Sequence, residues 1–139
     1  MAAAWLHDIG YAPALQTTGF HPLDGALYLH ARQWPMAVAA LVAHHSGAAE
    51  VAAVRGLVGA VAGFPPPALA VGDALTYADQ TVGPDGDSVT FAERLADMLR
   101  RHGPDSANAI AHARREPVLR AAVNRVDRRL AALGQPSYS

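Results

Sequence analysis

The sequence predicts an all-α fold, a compact helical bundle with additional C-terminal helices. Apolar residues make up 51% of the chain and charged residues 17%, a balance typical of a globular protein with a real core. Aromatic residues contribute only 6%, and alanine and leucine dominate, which favours helices over a β-sandwich. The length of 139 residues fits one domain, predicted over residues 1–133, with a frayed tail over residues 134–139.

Five helices are predicted within the first 81 residues, and local signals separate them. Their approximate ranges are 1–9, 21–33, 35–46, 48–61 and 68–81. Gly10 stops the first helix, and a loop over residues 11–20 follows it. Pro22 occupies the favoured first turn of the second helix, and the prolines at 65–67 separate the last two.

Three more helices are predicted in the C-terminal part, over residues 90–102, 105–115 and 117–133. A turn-rich loop over residues 83–86 precedes them, and Thr90 and Glu93 have the spacing of a capping box. The last helix carries an apolar stripe and several arginines. The stripe consists of Leu119, Val123, Val126, Leu130 and Leu133. The arginines predict a solvated face, so nucleic acid is not expected as a partner, whereas the stripe allows a homo-oligomer.

Composition excludes several classes of function. The chain contains no cysteine, so it has no disulfide, no thiolate metal site and no cysteine nucleophile, and a reducing cytoplasm is the expected location. The formal net charge of −1 gives no global field that would attract nucleic acid or a membrane. The weakly polar stretch 56–72 is interrupted by the prolines at 65–67 and is not expected to cross a membrane.

Histidine and aspartate residues collect at predicted helix ends. They are His7, Asp8, His21, His44, His45, Asp73 and Asp79. Helix ends often converge in a compact bundle, and imidazole with carboxylate suits one or two divalent ions such as Fe, Mn, Zn or Ni, with Mg also considered. Asp73 and Asp79 are about 240° apart around a helix, so only one of them can face a common site.

Each of these residues also has a structural explanation. His7 and Asp8 can be a helix-terminal histidine and a solvated acid, and the pair at 44–45 can be favoured by the helix dipole. His21 can be a simple cap. Three other histidines, His30, His102 and His112, have no acidic or histidine neighbour in sequence and are predicted to lie on the surface.

The order of these motifs resembles the HD-domain superfamily of metal-dependent phosphohydrolases, which are all-α. His7-Asp8-Ile9-Gly10 resembles the family's His-Asp pair, and His21-Pro22-Leu23-Asp24-Gly25-Ala26 resembles a helix start of its two-metal branch. Val42-Ala43-His44-His45 resembles that branch's His-His pair, and Ala78-Asp79 resembles its closing motif. The resemblance covers roughly residues 4–81 and leaves the C-terminal helices unassigned.

The resemblance implies hydrolysis of a nucleotide or other small phosphoester by a metal-activated water. His7, Asp8 and Asp79 would hold one ion, and His21, His44 and His45 a second. Asp8, which would bridge the two ions, is also the expected catalytic residue. Two other functions stay open: a non-catalytic or degenerate domain that binds metal or nucleotide in a regulatory role, and a di-iron oxygenase.

The sequence departs from the family pattern in three places. The family's first histidine lies upstream of the His-Asp pair, and no histidine precedes His7 here, which predicts an incomplete site. Residues 46–50 lack the Gly-Tyr-Pro motif of the cyclic-dinucleotide phosphodiesterases, and Tyr11 stands where many members have lysine. No cyclic dinucleotide is therefore assigned as substrate, and no residue is assigned as general acid or phosphate clamp.

Overall fold

The computed structural model describes residues 1–83 and 85–136, and it confirms the all-α prediction with 72% helix. The α-helices in the described residues are α1 Ala2–Leu6, α2 His21–Ala31, α3 Met36–His44, α4 Ala48–Arg55, α5 Val58–Val61, α6 Leu69–Thr81, α7 Phe91–His102 and α8 Ala107–Ala132. Short 3-10 turns occur at Ile9–Tyr11, Pro13–Leu15 and His45–Gly47. Pro84, within the predicted loop, and residues 137–139 of the predicted tail lie outside the described residues.

Two predicted helix boundaries are wrong. The helix predicted over 48–61 is divided into α4 and α5, because Gly56 adopts a left-handed backbone (φ 70°) that ends α4. The two helices predicted over 105–133 form the single helix α8, which continues through Pro117. Proline removes one backbone hydrogen bond, but Ala111 and Leu119 on either side are fully buried. Packing on both sides of Pro117 therefore outweighs the local signal for a break.

The main core lies where α2, α3 and α4 pack together. Its largest fully buried side chains include Leu23, Leu29 and Val42, and Ala111 of α8 completes the cluster. Alanines on α3 and α4 leave little side-chain bulk between the helices, which lets their backbones approach closely. This arrangement places the start of α2, which carries His21, close to the end of α3 and the 3-10 turn after it, which carries His45.

A second core cluster joins α6, α7 and α8. Tyr77, Phe91, Leu119 and Val123 are its buried members. Four residues of the apolar stripe predicted on the last helix thus pack within the chain, while Leu133 is 73% exposed. These four residues are therefore occupied by intramolecular contacts, and the homo-oligomer stays a prediction.

Two arginines of α8 form ion pairs with the same aspartate, although a solvated face is predicted for this helix. Buried Asp73 on α6 accepts hydrogen bonds from Arg125 at 2.7 and 2.8 Å and from Arg129 at 3.1 Å. The bonds to Arg125, followed by those to Arg129, outweigh burial and hold the pKa of Asp73 below its usual value. Asp73 is therefore a structural link between α6 and α8.

One helical stretch among the described residues, Met36–Arg55, is long and apolar enough to cross a membrane by composition. It does not coincide with the stretch 56–72 considered from sequence. Half of its most apolar window is buried inside the protein. Left-handed backbone at Ser46 and Gly47 also interrupts the stretch. Its apolar character is explained by its place in the main core.

Candidate metal centre

Four separate segments bring histidine and aspartate side chains to one place. The segment between α1 and the first 3-10 turn supplies His7 and Asp8, and the first residue of α2 is His21. The third 3-10 turn supplies His45, and the last part of α6 supplies Asp79. One ligand atom each from Asp8, His21 and His45 all lie within 4.8 Å of one another, a grouping that can hold a metal ion.

Glycines allow the first of these segments to lie directly on α2. A Cβ atom at Gly10 would lie 2.0 Å from the carbonyl oxygen of His21 and 2.7 Å from the nitrogen of Gly25. A Cβ atom at Gly25 would be 3.1 Å from the side chains of Ile9 and Val42. The backbone contact between Gly10 and α2 therefore sets how close Asp8 comes to His21.

Asp8 lies at the centre of the cluster. Its Oδ1 is 3.3 Å from Nε2 of His21 and 3.9 Å from Nε2 of His45. Its Oδ2 is 3.3 Å from Nε2 of His7, and the Nε2 atoms of His21 and His45 are 3.3 Å apart. One carboxylate thus faces three imidazole nitrogens, as a ligand that bridges two ions does.

Asp79 adds a second carboxylate beside His7. Its Oδ1 lies 3.7 Å from Nε2 of His7 and accepts a hydrogen bond of 3.1 Å from Nη2 of Arg94. Its Oδ2 accepts hydrogen bonds from Gln80, at 2.9 Å, and from the Ser46 hydroxyl. The sequence favoured Asp79 over Asp73 for this position, and the structure places Asp79 at the cluster and Asp73 against α8.

Backbone carbonyls orient two of the imidazole rings. Nδ1 of His7 lies 2.8 Å from the carbonyl oxygen of Ala4, and Nδ1 of His45 lies 2.7 Å from that of Val42. A carbonyl only accepts, so Nδ1 carries the hydrogen and the Nε2 lone pair of the neutral ring faces the carboxylate oxygens. Lone pairs in this arrangement repel each other unless a cation lies between them. The donor set therefore fits a divalent ion, with the ring orientation typical of metal-binding histidines.

In the metal-free protein a proton on His7 supplies that cation. Hydrogen bonds to Asp79 and then to Asp8 raise the pKa of His7 to about 10. Burial opposes ionisation of Asp79, yet the hydrogen bond and charge of His7 and the bond from Ser46 keep its pKa well below the usual value. Burial, together with the neighbouring His45, lowers the pKa of His21 to about 3. At neutral pH the cluster therefore holds one proton, on His7, while His21 is already neutral.

Metal binding is consequently expected to release about one proton between pH 7 and 9. Because its pKa is raised, His7 is protonated below about pH 10, and it must lose this proton before Nε2 can bind a metal ion. The affinity for the metal ion should therefore rise with pH across this range. His21 should release no proton, because it is already neutral. Titration calorimetry in buffers of different ionisation enthalpy measures the released protons. A His7→Gln variant should lose the release, and an unchanged proton count in that variant would contradict the assignment.

His44 does not join the cluster, contrary to the predicted ligand set. Its Nε2 lies 2.9 Å from the carbonyl oxygen of Phe64 and fastens the segment after α5. Consecutive residues on a helix point about 100° apart. In addition, His44 is the last residue of α3, so His45 already lies outside this helix. One member of the pair therefore faces the cluster and the other faces the opposite neighbour.

The third 3-10 turn that carries His45 has a strained backbone. Ser46 has a φ of 50° and is followed by Gly47 with a φ of 67°. The nitrogen of Ser46 donates to Oγ1 of Thr76 at 3.2 Å, and its carbonyl oxygen accepts from Nε of Arg115 at 2.8 Å. With the bond from its hydroxyl to Asp79, these contacts hold a non-glycine residue in the left-handed region. Ser46 therefore connects His45 to Asp79.

A cavity of about 260 Å³ opens beside the cluster, and α7 and α8 form part of its wall. Sequence reasoning missed Arg94, Arg101 and Arg115, which all line this cavity. Arg94 and Arg101 share one face of α7 with Met98, a spacing that the sequence did contain. Arg115 had no local signal, because its bond to Ser46 joins residues far apart in the chain.

The three histidines predicted on the surface have different environments. His30 is exposed, as predicted. His102 is also exposed but lines the cavity. His112 is half-buried, and its Nδ1 is buried without a hydrogen-bond partner among the described residues.

Comparison with known proteins adds no relative to this picture, since no family model, curated protein or solved structure matches the chain. The grouping of Asp8, His21 and His45 is a finding of the structure itself.

Proposed function

We propose that this protein is a metal-dependent phosphohydrolase of the HD type, acting on a nucleotide or other small phosphoester. The observation that carries the proposal is the position of Asp8, whose two oxygens face the Nε2 atoms of three imidazoles. In two of these rings a backbone carbonyl already fixes the tautomer that donates Nε2. The resemblance of residues 4–81 to the HD superfamily supports the same function.

Five side chains form the proposed ligand set. Asp8 is shared, His7 and Asp79 hold one position, and His21 and His45 hold the other. A divalent ion bound there supplies a water of lowered pKa and neutralises charge on the phosphoryl group. The protein's own contribution is to orient the rings, to hold Asp79 in place through Arg94 and to keep its pKa low through His7 and Ser46. We drop His44 from the set, because its ring is bonded to Phe64.

We also expect this hydrolase to be cytoplasmic and to act on a small phosphoester. Neither a membrane nor nucleic acid is expected as its partner. Arg125 and Arg129 of α8 bond Asp73 and are therefore engaged within the chain.

Metal removal tests the proposal directly. The purified protein is expected to contain one or two divalent ions per chain by elemental analysis and to hydrolyse an aryl phosphoester. Dialysis against a chelator should reduce that activity by at least about a hundredfold, and readdition of Mn, Fe, Zn, Ni or Mg should identify the active ion. Bound metal without turnover would instead indicate a non-catalytic domain, and oxygen uptake with ferrous iron would indicate an oxygenase. Activity that survives removal of all metal would contradict the proposal.

A further inference from the structure

Arg115 is a half-buried cation that forms no ion pair with a carboxylate among the described residues. Its Nε donates to the carbonyl of Ser46, which uses one edge of the guanidinium. Its hydrocarbon stem passes Gly47, where a Cβ atom would lie 2.9 Å from Cγ of Arg115. The left-handed glycine therefore makes room for the arginine and helps to fix it. Burial removes part of the hydration of this guanidinium and lowers the pKa of Arg115.

The other two arginines of the cavity are already paired. Arg94 lies 3.1 Å from Asp79 and 3.8 Å from Asp97, and Arg101 lies 2.7 Å from Asp97. A buried charge without a partner is costly, and such a group in a binding cleft is commonly matched by a charge on the ligand. Of the three, Arg115 is the one that has no carboxylate within 4 Å among the described residues, and its one hydrogen bond uses Nε.

The charge and size of the cavity restrict the ligand. Its lining contains three arginines and two aspartates, and Asp97 pairs with Arg101 beside it, so one divalent ion leaves an excess of two positive charges. A dianionic phosphomonoester neutralises more of this excess than a monoanionic diester does. The volume of about 260 Å³ is below the 300–1,000 Å³ of sites for drug-sized ligands. Phe20, Val51 and Met98 give the same cavity an apolar wall that can pack against a small organic group.

We propose that Arg115 is the phosphate-binding residue of this cavity and that its substrate is a small phosphomonoester. The fork of Nη donors takes the non-bridging oxygens while the metal cluster faces the scissile bond. The choice of phosphate as the anion rests on the proposed hydrolase function, whereas the anion-binding role of Arg115 does not.

Binding of inorganic phosphate to the manganese-loaded protein tests the role of Arg115. Arg115→Gln is expected to weaken phosphate binding by about 10- to 100-fold in titration calorimetry, at unchanged manganese content. Arg114→Gln is the matched control, since Arg114 lies next to it on α8, 65% exposed and 3.7 Å from Glu50. The control should bind phosphate within about twofold of the wild type. Equal affinity in the two variants would overturn the proposal.

Arg115→Lys keeps the test decisive if the glutamine variant does not fold. It retains the charge but loses the fork, so phosphate should bind several-fold more weakly, and wild-type affinity would overturn the proposal. Hydrolysis of para-nitrophenyl phosphate and of its bis-aryl diester is measured in parallel. A preference for the diester would overturn the monoester class. Phosphate binding that depends on Arg115 without any hydrolysis would support the anion site and reject the proposed enzymatic function.

Discussion

Replacement of Asp8 with alanine is expected to eliminate metal binding at neutral pH and to reduce phosphoesterase kcat/KM by at least about a thousandfold. Asp8 is the carboxylate that lies between His7 on one side and His21 and His45 on the other. Its oxygens are 3.3 Å from Nε2 of His7 and 3.3 Å from Nε2 of His21. Without it, His21 and His45 keep only nitrogen donors, and His7 keeps only Asp79. Neither remainder offers the three protein ligands that catalytic zinc sites use.

Elemental analysis after dialysis against a slight excess of metal measures the first effect, and steady-state kinetics measures the second. The metal-free variant should fold normally, because the side chain of Asp8 is 52% exposed and little packing is lost. Asp105→Asn, an exposed acid before α8, is the control for removal of one negative charge. If Asp8→Ala retains wild-type metal content and activity, the cluster is not a metal centre.

The helical class and the proximity of Asp8, His21 and His45 in the candidate site were predictable, because their signals are local. Pro22 at the start of α2 and the capping box formed by Thr90 and Glu93 fix helix ends through interactions within one turn. The residues His7, Asp8, His21, His45 and Asp79 all lie at or near such ends. Helix ends that meet in a small bundle bring their side chains together, so the order of the motifs carried real spatial information.

Other features could not be predicted, because they depend on the exact residue at which a helix ends or on contacts between segments far apart in the chain. Whether His44 or His45 faces the cluster is decided by the residue at which α3 ends, and a shift of one residue exchanges them. Pro117 is a strong break signal that long-range packing overrides. Arg115 reaches the cavity only because α8 packs across α4 and the third 3-10 turn.

The largest effect on stability is expected for Gly10→Ala, which should lower the free energy of unfolding by about 3 kcal/mol or more. The new methyl group would lie 2.0 Å from the carbonyl oxygen of His21, a backbone atom that no rotamer change can move. Either the 3-10 turn must lift off α2 or the first turn of α2 must open. Both routes separate Asp8 from His21, so metal affinity should fall with stability. Urea denaturation of the metal-free protein measures the first effect, and metal titration of the folded variant measures the second.

Gly59→Ala is the matched control, because it adds the same methyl group in a helix where no atom lies within 4 Å of the new Cβ. Gly59 is in α5 and exposed, so alanine should leave stability unchanged or raise it by up to about 1 kcal/mol. The contrast between the two variants separates the steric contact at Gly10 from the general effect of replacing a glycine. If both variants unfold at the same urea concentration as the wild type, the turn does not pack on α2 as described. In that case the distance between Asp8 and His21, on which the bridging carboxylate depends, would also lose its basis.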